Sequence, residues 1–189
     1  MPRGGDNARL RLRDAALELF RERGYDAVTA AEIAARAGVT ERTFFRHFPD
    51  KREALFDGEA AFRDTLRDAV VAAPPNRSPL GAVLLAFASV EQLLTDNRPF
   101  TLPRAAIIAK TPALQERVLA KTAGLIEALA EGLQRRGVEA GAAKLAAQVG
   151  MAAFNYAADG WGRDPAPGLA SYLAGAFEAL QGLSSTRQG

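Results

Sequence analysis

Residues 28–51, VTAAEIAARAGVTERTFFRHFPDK, constrain this chain more than any other stretch. Thr29 is a good helix N-cap, and Glu32 sits where a capping box needs it, so each side chain can satisfy a backbone N–H at the other residue. Val28 and Ile33 flank that box at the spacing of a hydrophobic staple. Gly38 supplies the residue type that most readily turns left-handed after a helix. A second start follows at once, with Thr40 as cap and Val39 and Phe44 as staple. Pro49 stops that helix, because a residue before proline is pushed out of the helical region. Asp50 and Glu53 have the spacing of a third capping box. Closely spaced starts of this kind predict two short helices joined by a tight turn, with a third helix following, which is the layout of a helix-turn-helix.

The faces of the second helix follow from its rotation of ~100° per residue. Phe44 and Phe48 share one side and should enter a core. Arg42 and Arg46 point roughly opposite, with Thr43 and Phe45 on the flanks. Arginine can bond the guanine O6/N7 edge with two donors, and a phenylalanine ring can pack on a thymine methyl. His47 and Lys51 close the unit, where phosphate contacts would fix orientation. The alternative is a three-helix structural subdomain with a solvated basic face.

The run Thr29 to Lys51, of the form T-x-x-E-I-A-x-x-A-G-V-T-x-x-T-F-F-x-H-F-x-x-K, resembles the DNA-binding domain of the TetR family of bacterial transcriptional regulators. The resemblance also takes in the preceding helix, Arg9 to Arg23, with Gly24 and Tyr25. It implies that Thr29, Thr40, Arg42, Thr43, Phe45, His47 and Lys51 fall at DNA-contacting positions; the helix rotation adds Arg46. Two departures matter. Phe45 stands where the family often has tyrosine, so a hydroxyl contact to phosphate is lost. Ala30 and Ala31 stand where many members carry a polar contact residue, which shifts base reading toward Arg42 and Arg46.

Composition narrows the function. The chain has 189 residues and a net charge of +2, and residues 1–56 hold 11 Lys/Arg against 9 Asp/Glu, so that excess lies in the first third. With no cysteine and a single histidine, His47, there is no disulfide, no thiolate nucleophile and no cysteine metal site. No cofactor is expected, and the C-terminal region offers no set of acid, base and nucleophile, so an enzyme is not expected. No apolar run reaches the ~18 residues of a membrane span and no signal peptide is evident, which points to a cytoplasmic protein without membrane association.

Alanine is abundant and strand-like alternation is absent, so the fold should be all-α. A helix-turn-helix domain over 1–50 should be followed by a helical bundle over 51–189, the pair forming a homodimer. Helices are expected at about 9–23, 51–73, 78–97, 104–110, 112–136, 139–159 and 167–183, after a first eight residues that look disordered; their Arg3, with Arg9, Arg11 and Arg13, could track a phosphate backbone or minor groove, the alternative being a frayed terminus. The 51–73 helix would join head to bundle. The 139–159 stretch is rich in Ala and Gly. Leu169, Leu173, Ala176, Leu180 and Leu183 make a heptad seam. The seam suits a dimer interface; packing within the chain is the alternative.

Phe62, Leu66, Phe87, Val90, Leu94, Ile107, Val118 and Phe154, with Asn155 as a polar group, are candidate effector-binding residues, and Gln92, Arg104, Gln148 and Tyr156 are further polar candidates. Apolar walls with a few polar groups are the usual makeup of a small-molecule site. The resemblance implies a ligand-responsive C-terminal domain, and the scarcity of titratable groups favours an apolar or neutral effector. The expected function is a ligand-responsive regulator, a repressor binding double-stranded DNA at a palindromic operator as a homodimer. The alternative is a helical interaction module or an enzyme whose N-terminal helices only pack.

Overall fold

The computed structural model describes the backbone of residues 4–184 and the side chains of residues 7–183. Among the described residues there are helices and turns and no strand. They form two compact units. The first holds Met1–Glu59 together with Asp96–Ala120, and the second holds Ala60–Thr95 together with Lys121–Gly189. The division therefore differs from a single cut at residue 50, because a later segment returns to the first unit.

The first unit begins with α1, Gly4–Arg23. This helix starts earlier than expected; residues 1–3, including Arg3, lie outside the described residues. Leu12, Ala15, Ala16, Leu19 and Phe20 are buried, the pattern of one continuous helical stripe. Gly24, at φ +83°, ends the helix.

Then come α2, Ala30–Arg36, and α3, Glu41–His47. The capping box of α2 is present: the Thr29 N–H donates to Glu32 Oε2 at 2.9 Å and the Glu32 N–H to Thr29 Oγ1 at 3.2 Å. Gly38 takes φ +68°, which lets the Val39 N–H reach the Ala34 carbonyl at 3.0 Å and close α2. Thr40 caps α3 through the Thr43 N–H at 3.2 Å, and Phe48 is extended before Pro49. Val28, Ile33, Phe44 and Phe48 all sit in the core of this unit.

Only half of the third capping box forms. Asp50 Oδ1 accepts the N–H groups of Arg52 and Glu53 at 2.8 and 3.2 Å, but the Glu53 carboxylate is taken by Arg117 at 2.7 Å. The chain continues as a short 3-10 turn, Glu53–Phe56, and not as the start of a long helix. Gly58 at φ +82° interrupts the chain before α4, Glu59–Ala72. An Asp57-Gly58 pair is a turn dipeptide, and a left-handed glycine cannot lie inside a helix.

The rest of the first unit is α7, Arg98–Ala109, and the beginning of α8, Pro112–Arg135. Pro99 occupies the first turn, where a missing N–H is harmless. Pro103 lies within the helix and does not divide it, so the expected short helix at 104–110 is the second half of a longer one. Phe100, Ile107 and Leu114 complete the apolar core beneath α1 to α3.

The second unit packs α5, Pro79–Ser89, against α9, Ala140–Arg163, and α9 against α10, Leu169–Ser184. The helix expected over 78–97 is split, with α6, Glu91–Asp96, following α5. The Ser89 hydroxyl donates to the Ala86 carbonyl at 2.8 Å and the Val90 N–H reaches only Phe87 O at 3.4 Å, so the regular ladder fails at the join. The α10 N-terminus is capped from a distance: Glu91 Oε1 accepts the Leu169 N–H at 2.7 Å and Oε2 the Ala170 N–H at 3.4 Å. At the end of α4, Arg136 Nη2 donates to the Pro74 carbonyl at 2.8 Å, and Nη1 to that of Ala73.

The heptad seam faces inward over most of its length. Leu169, Leu173 and Ala176 belong to the core of their own unit, Leu180 is half-buried, and only Leu183 is fully open. The small residues of α9 do the same work: Ala143, Ala147, Gly150 and Ala157 let that helix lie close to its neighbours.

Two measurements check this packing. A Cβ at Gly150 would overlap the Val83 side chain. Gly150→Ala gains up to about 1 kcal/mol of helix propensity, while overpacking typically costs about 1–3 kcal/mol, so a net loss of stability in urea unfolding is expected; a stabilised variant would mean that α5 and α9 lie further apart. Hydrogen bonds from the Thr29 backbone, the Arg23 side chain and the Thr29 side chain hold the Glu32 carboxyl below its ordinary 4.5, at about 2. The stabilisation is thus present above pH 4.5 and is lost as pH falls through about 2. The Glu32 side-chain carbon resonance should titrate near that lower value, and a midpoint near 4.5 would show that the box does not hold in solution.

Candidate nucleic-acid interface

The outward face of α3 is built by what the inward face buries. Phe44 and Phe48 are almost wholly enclosed, with ring centroids 5.6 Å apart, which fixes the helix about its axis. Phe45 is then left 52% exposed, its ring edge-on to Phe44 at 5.4 Å. Arg42 and Arg46 are exposed on either side. Neither side chain has a hydrogen bond or ion pair among the described residues.

That separates them from most cations of the head. Arg9 is paired with Asp57 at 2.6 Å, Arg23 with Glu32 at 2.7 Å, Arg36 with Glu22 at 2.9 Å, and Arg52 with Asp50 at 2.8 Å. Arg13 pairs with Asp14 at 3.2 Å and lies 4.4 Å above the Phe100 ring. Of the residues expected to track a backbone, Arg9 and Arg13 are therefore engaged within the unit.

The threonines combine two roles. Thr29 and Thr40 are exposed at the beginnings of α2 and α3, and both hydroxyls are already in use as caps. The Thr40 and Thr43 hydroxyls lie 3.0 Å apart. Helix starts present free N–H groups and favour negative charge, so the two starts suit phosphate oxygens. His47 is half-buried beside Phe48, with ring centroids 6.5 Å apart.

Lys51 has a structural role beyond the one expected of it. Its Nζ donates to the carbonyls of Tyr25 and Val28, each at 2.8 Å, and sits 4.3 Å from the Tyr25 ring centre. The ammonium ties the end of the helix-turn-helix to the loop that precedes α2, which leaves one N–H for a contact outside the unit. The sequence carried the position but no sign of these partners, which lie more than twenty residues earlier in the chain.

The effector candidates do not form one group. Leu66, Phe87 and Val90 are in the core of the second unit, with Phe62, Leu94 and Phe154 half-buried against it. Phe87 and Phe154 stack with ring centroids 4.2 Å apart and 14° between planes. Ile107 and Val118 belong to the apolar cluster of the first unit instead. Asn155, Gln92, Gln148 and Tyr156 are exposed. Helical spacing alone could not distinguish these surroundings. Nor did it reveal the ionic cluster of the first unit, where Arg117 bonds Glu53 at 2.7 and 3.0 Å and Glu59 at 3.0 Å. These partners are some sixty residues apart, beyond the reach of any local pattern. Among the described residues no helix is long and apolar enough to cross a membrane.

Known proteins share both the head and the C-terminal helices. Residues 12–57 match the family described as bacterial regulatory proteins, tetR family, and residues 77–183 match the MftR C-terminal domain. The putative mycofactocin biosynthesis transcriptional regulator MftR of Mycobacterium tuberculosis is 28% identical over 177 residues, covering 88% of this chain and 86% of MftR. The transcriptional regulator TcmR of Streptomyces glaucescens is 39% identical over 75 residues, a match to 40% of this chain that spans only 33% of TcmR. The transcriptional repressor KstR of Rhodococcus jostii is 31% identical over 110 residues, covering 57% of this chain and 51% of KstR.

Among solved structures, SmeT in its complex with triclosan superposes with a TM-score of 0.62 at 21% identity over 91% of this chain and 90% of SmeT. Thermus thermophilus FadR, in complex with lauroyl-CoA, gives 0.56 at 24% identity over 96% and 97%. These two establish likeness of fold. The matched residues run through both the helix-turn-helix and the C-terminal helices, and the chain belongs to the TetR family of bacterial transcriptional regulators.

Proposed function

We propose that this regulator is a homodimeric, effector-responsive repressor that reads a palindromic operator with α3. The observation that carries the reading is the exposed face of Arg42, Phe45 and Arg46, whose two guanidiniums stay clear of the ion pairs that occupy most cations around them. Arg42 and Arg46 are assigned to base edges. Thr29, Thr40, Thr43 and His47 are assigned to phosphate and sugar, Phe45 to a thymine methyl or deoxyribose, and Lys51 to holding the unit and, with its remaining N–H, to phosphate. DNA binding is assigned to residues 1–50, and effector binding and dimerisation to residues 51–189. The name of KstR as a repressor supports the sign of regulation.

Dimerisation is assigned to the open side of α9 and the end of α10. Leu145 is 61% and Tyr156 68% exposed, and with Val149 and Ala152 they follow a spacing of four, three and four along α9. Such a stripe is apolar surface that a partner copy would cover. Two-fold symmetry would place the recognition helices about 34–36 Å apart, or a multiple of that, on the two halves of a palindrome. The effector is assigned to the half-buried aromatic edge of the second unit, at Phe62, Leu94 and Phe154. An effector that prefers the dimer geometry unfit for DNA would release the operator, with a coupling typically of about 1–3 kcal/mol.

The test is fluorescence anisotropy on DNA from upstream of the protein's own gene, with a salt titration, beside sedimentation of the free protein. A dimer binding this DNA well above random sequence is expected. Arg42→Ala should cost about 1–3 kcal/mol on the cognate site and little on random DNA. Lys51→Met should lower the melting temperature first, by loss of two charge-assisted hydrogen bonds, and change the salt slope by no more than about one unit. A monomer that binds all DNA equally, with Arg42→Ala unaffected, would sink the operator reading.

A further inference from the structure

Within the first unit, α7 carries a charge that its surroundings do not match. The side chain of Arg104 is part-buried, with its Nε fully enclosed. Its one hydrogen bond among the described residues runs from Nη1 to the Leu55 carbonyl at 3.0 Å, and its Nε hydrogen has no acceptor. The guanidinium carbon lies 5.6 Å from the centre of the Phe56 ring. Arg117 lies 5.1 Å from the same ring and is treated quite differently. Both oxygens of Glu53 and one of Glu59 accept from Arg117, and neither carboxylate bonds Arg104.

Guanidinium carries five N–H donors in a planar fork suited to a carboxylate or phosphate. Enclosing one of those donors without an acceptor is costly, and a part-buried guanidinium kept in that condition is a candidate binding group. Burial also pushes Arg104 below its usual pKa, and Glu59 opposes that only through space. Phe100 and Ile107, four residues before and three after, share its face of α7 and are buried. An anionic group arriving there would find an apolar neighbourhood for the body that carries it.

We propose that Arg104 receives the oxyanion of a regulatory ligand, a carboxylate or phosphate on an apolar body, in competition with the Leu55 carbonyl. Its consequence for DNA rests on the regulator reading above. Leu55 is fully buried, in the 3-10 turn that directly follows the helix-turn-helix. When Arg104 turns to the oxyanion, that carbonyl loses its donor and cannot turn to water instead. The turn is weakened, and with it the ground on which the head is held. This anionic ligand is distinct from the effector assigned to the aromatic edge of the second unit, since Arg104 lies in the first.

Calorimetric titration of the full chain with dodecanoate, dodecyl phosphate and dodecanol, each below its micelle concentration, tests this. One of the two anions should bind at least tenfold more tightly than the alcohol, and which one does so distinguishes a carboxylate ligand from a phosphate ligand. Arg104→Met should abolish the difference, and Arg104→Lys, which keeps the charge without the fork, should restore part of it. The favoured anion should also release operator DNA from the wild type. Equal affinity for all three probes, absence of binding by all three, or a preference that survives in a folded Arg104→Met overturns the proposal. Should Arg104→Met fail to fold, the wild-type comparison of anion with alcohol decides alone. An anion preference in a protein that binds no DNA without ligand would strike the regulator reading and leave the anion site standing.

Discussion

Two helices of seven residues each cannot hold themselves in water. Everything this chain does at its N-terminus depends on solving that problem. The solution is double. Polar groups close each end locally, through Thr29 and Glu32, Gly38, and Thr40, while Val28, Ile33, Phe44 and Phe48 nail the same segments into one core. Each device compensates for the weakness of the other. Caps without a core would fray, and a core without caps would bury unsatisfied backbone groups. The outward array of Arg42, Phe45 and Arg46 has a defined direction only because Phe44 and Phe48 cannot rotate.

This explains which features could be read from sequence. Capping boxes, staples and proline stops act over three to five residues, so the helix-turn-helix was legible almost residue by residue. Failures came where a distant partner decided the outcome. Glu53 had the spacing of a capping residue, but Arg117 claimed its carboxylate. The hold of Lys51 on the Tyr25 and Val28 carbonyls was likewise out of reach, since those partners lie in an earlier loop. Gly58 is a different case, since the helix expected over 51–73 ran straight across a local Asp-Gly turn dipeptide.

Periodicity was a weaker guide in the C-terminal helices, and for a physical reason. A stripe at positions 169, 173 and 176 states that a helix has an apolar side and is silent on whether that side meets its own chain or another. The same holds for the aromatic and branched residues expected to line an effector site. Leu66 and Phe87 proved to be core, and Ile107 and Val118 belong to a different unit altogether. Apolar residue types are shared by cores, interfaces and pockets, so only their placement separates the three.

The return of Asp96–Ala120 to the first unit has a consequence for how such regulators can be recombined. Phe100, Ile107 and Leu114 lie in the same core as the residues of α1 to α3. A head severed after residue 59 would bare the apolar surface those three side chains cover, and a head transplanted onto another family member would meet a foreign α7. Exchange of DNA specificity between relatives by a single crossover is therefore disfavoured at this junction. Substitutions confined to the outer face of α3, at Arg42, Phe45 and Arg46, leave that shared core untouched, so on the proposed assignment they offer a route to a new operator one residue at a time.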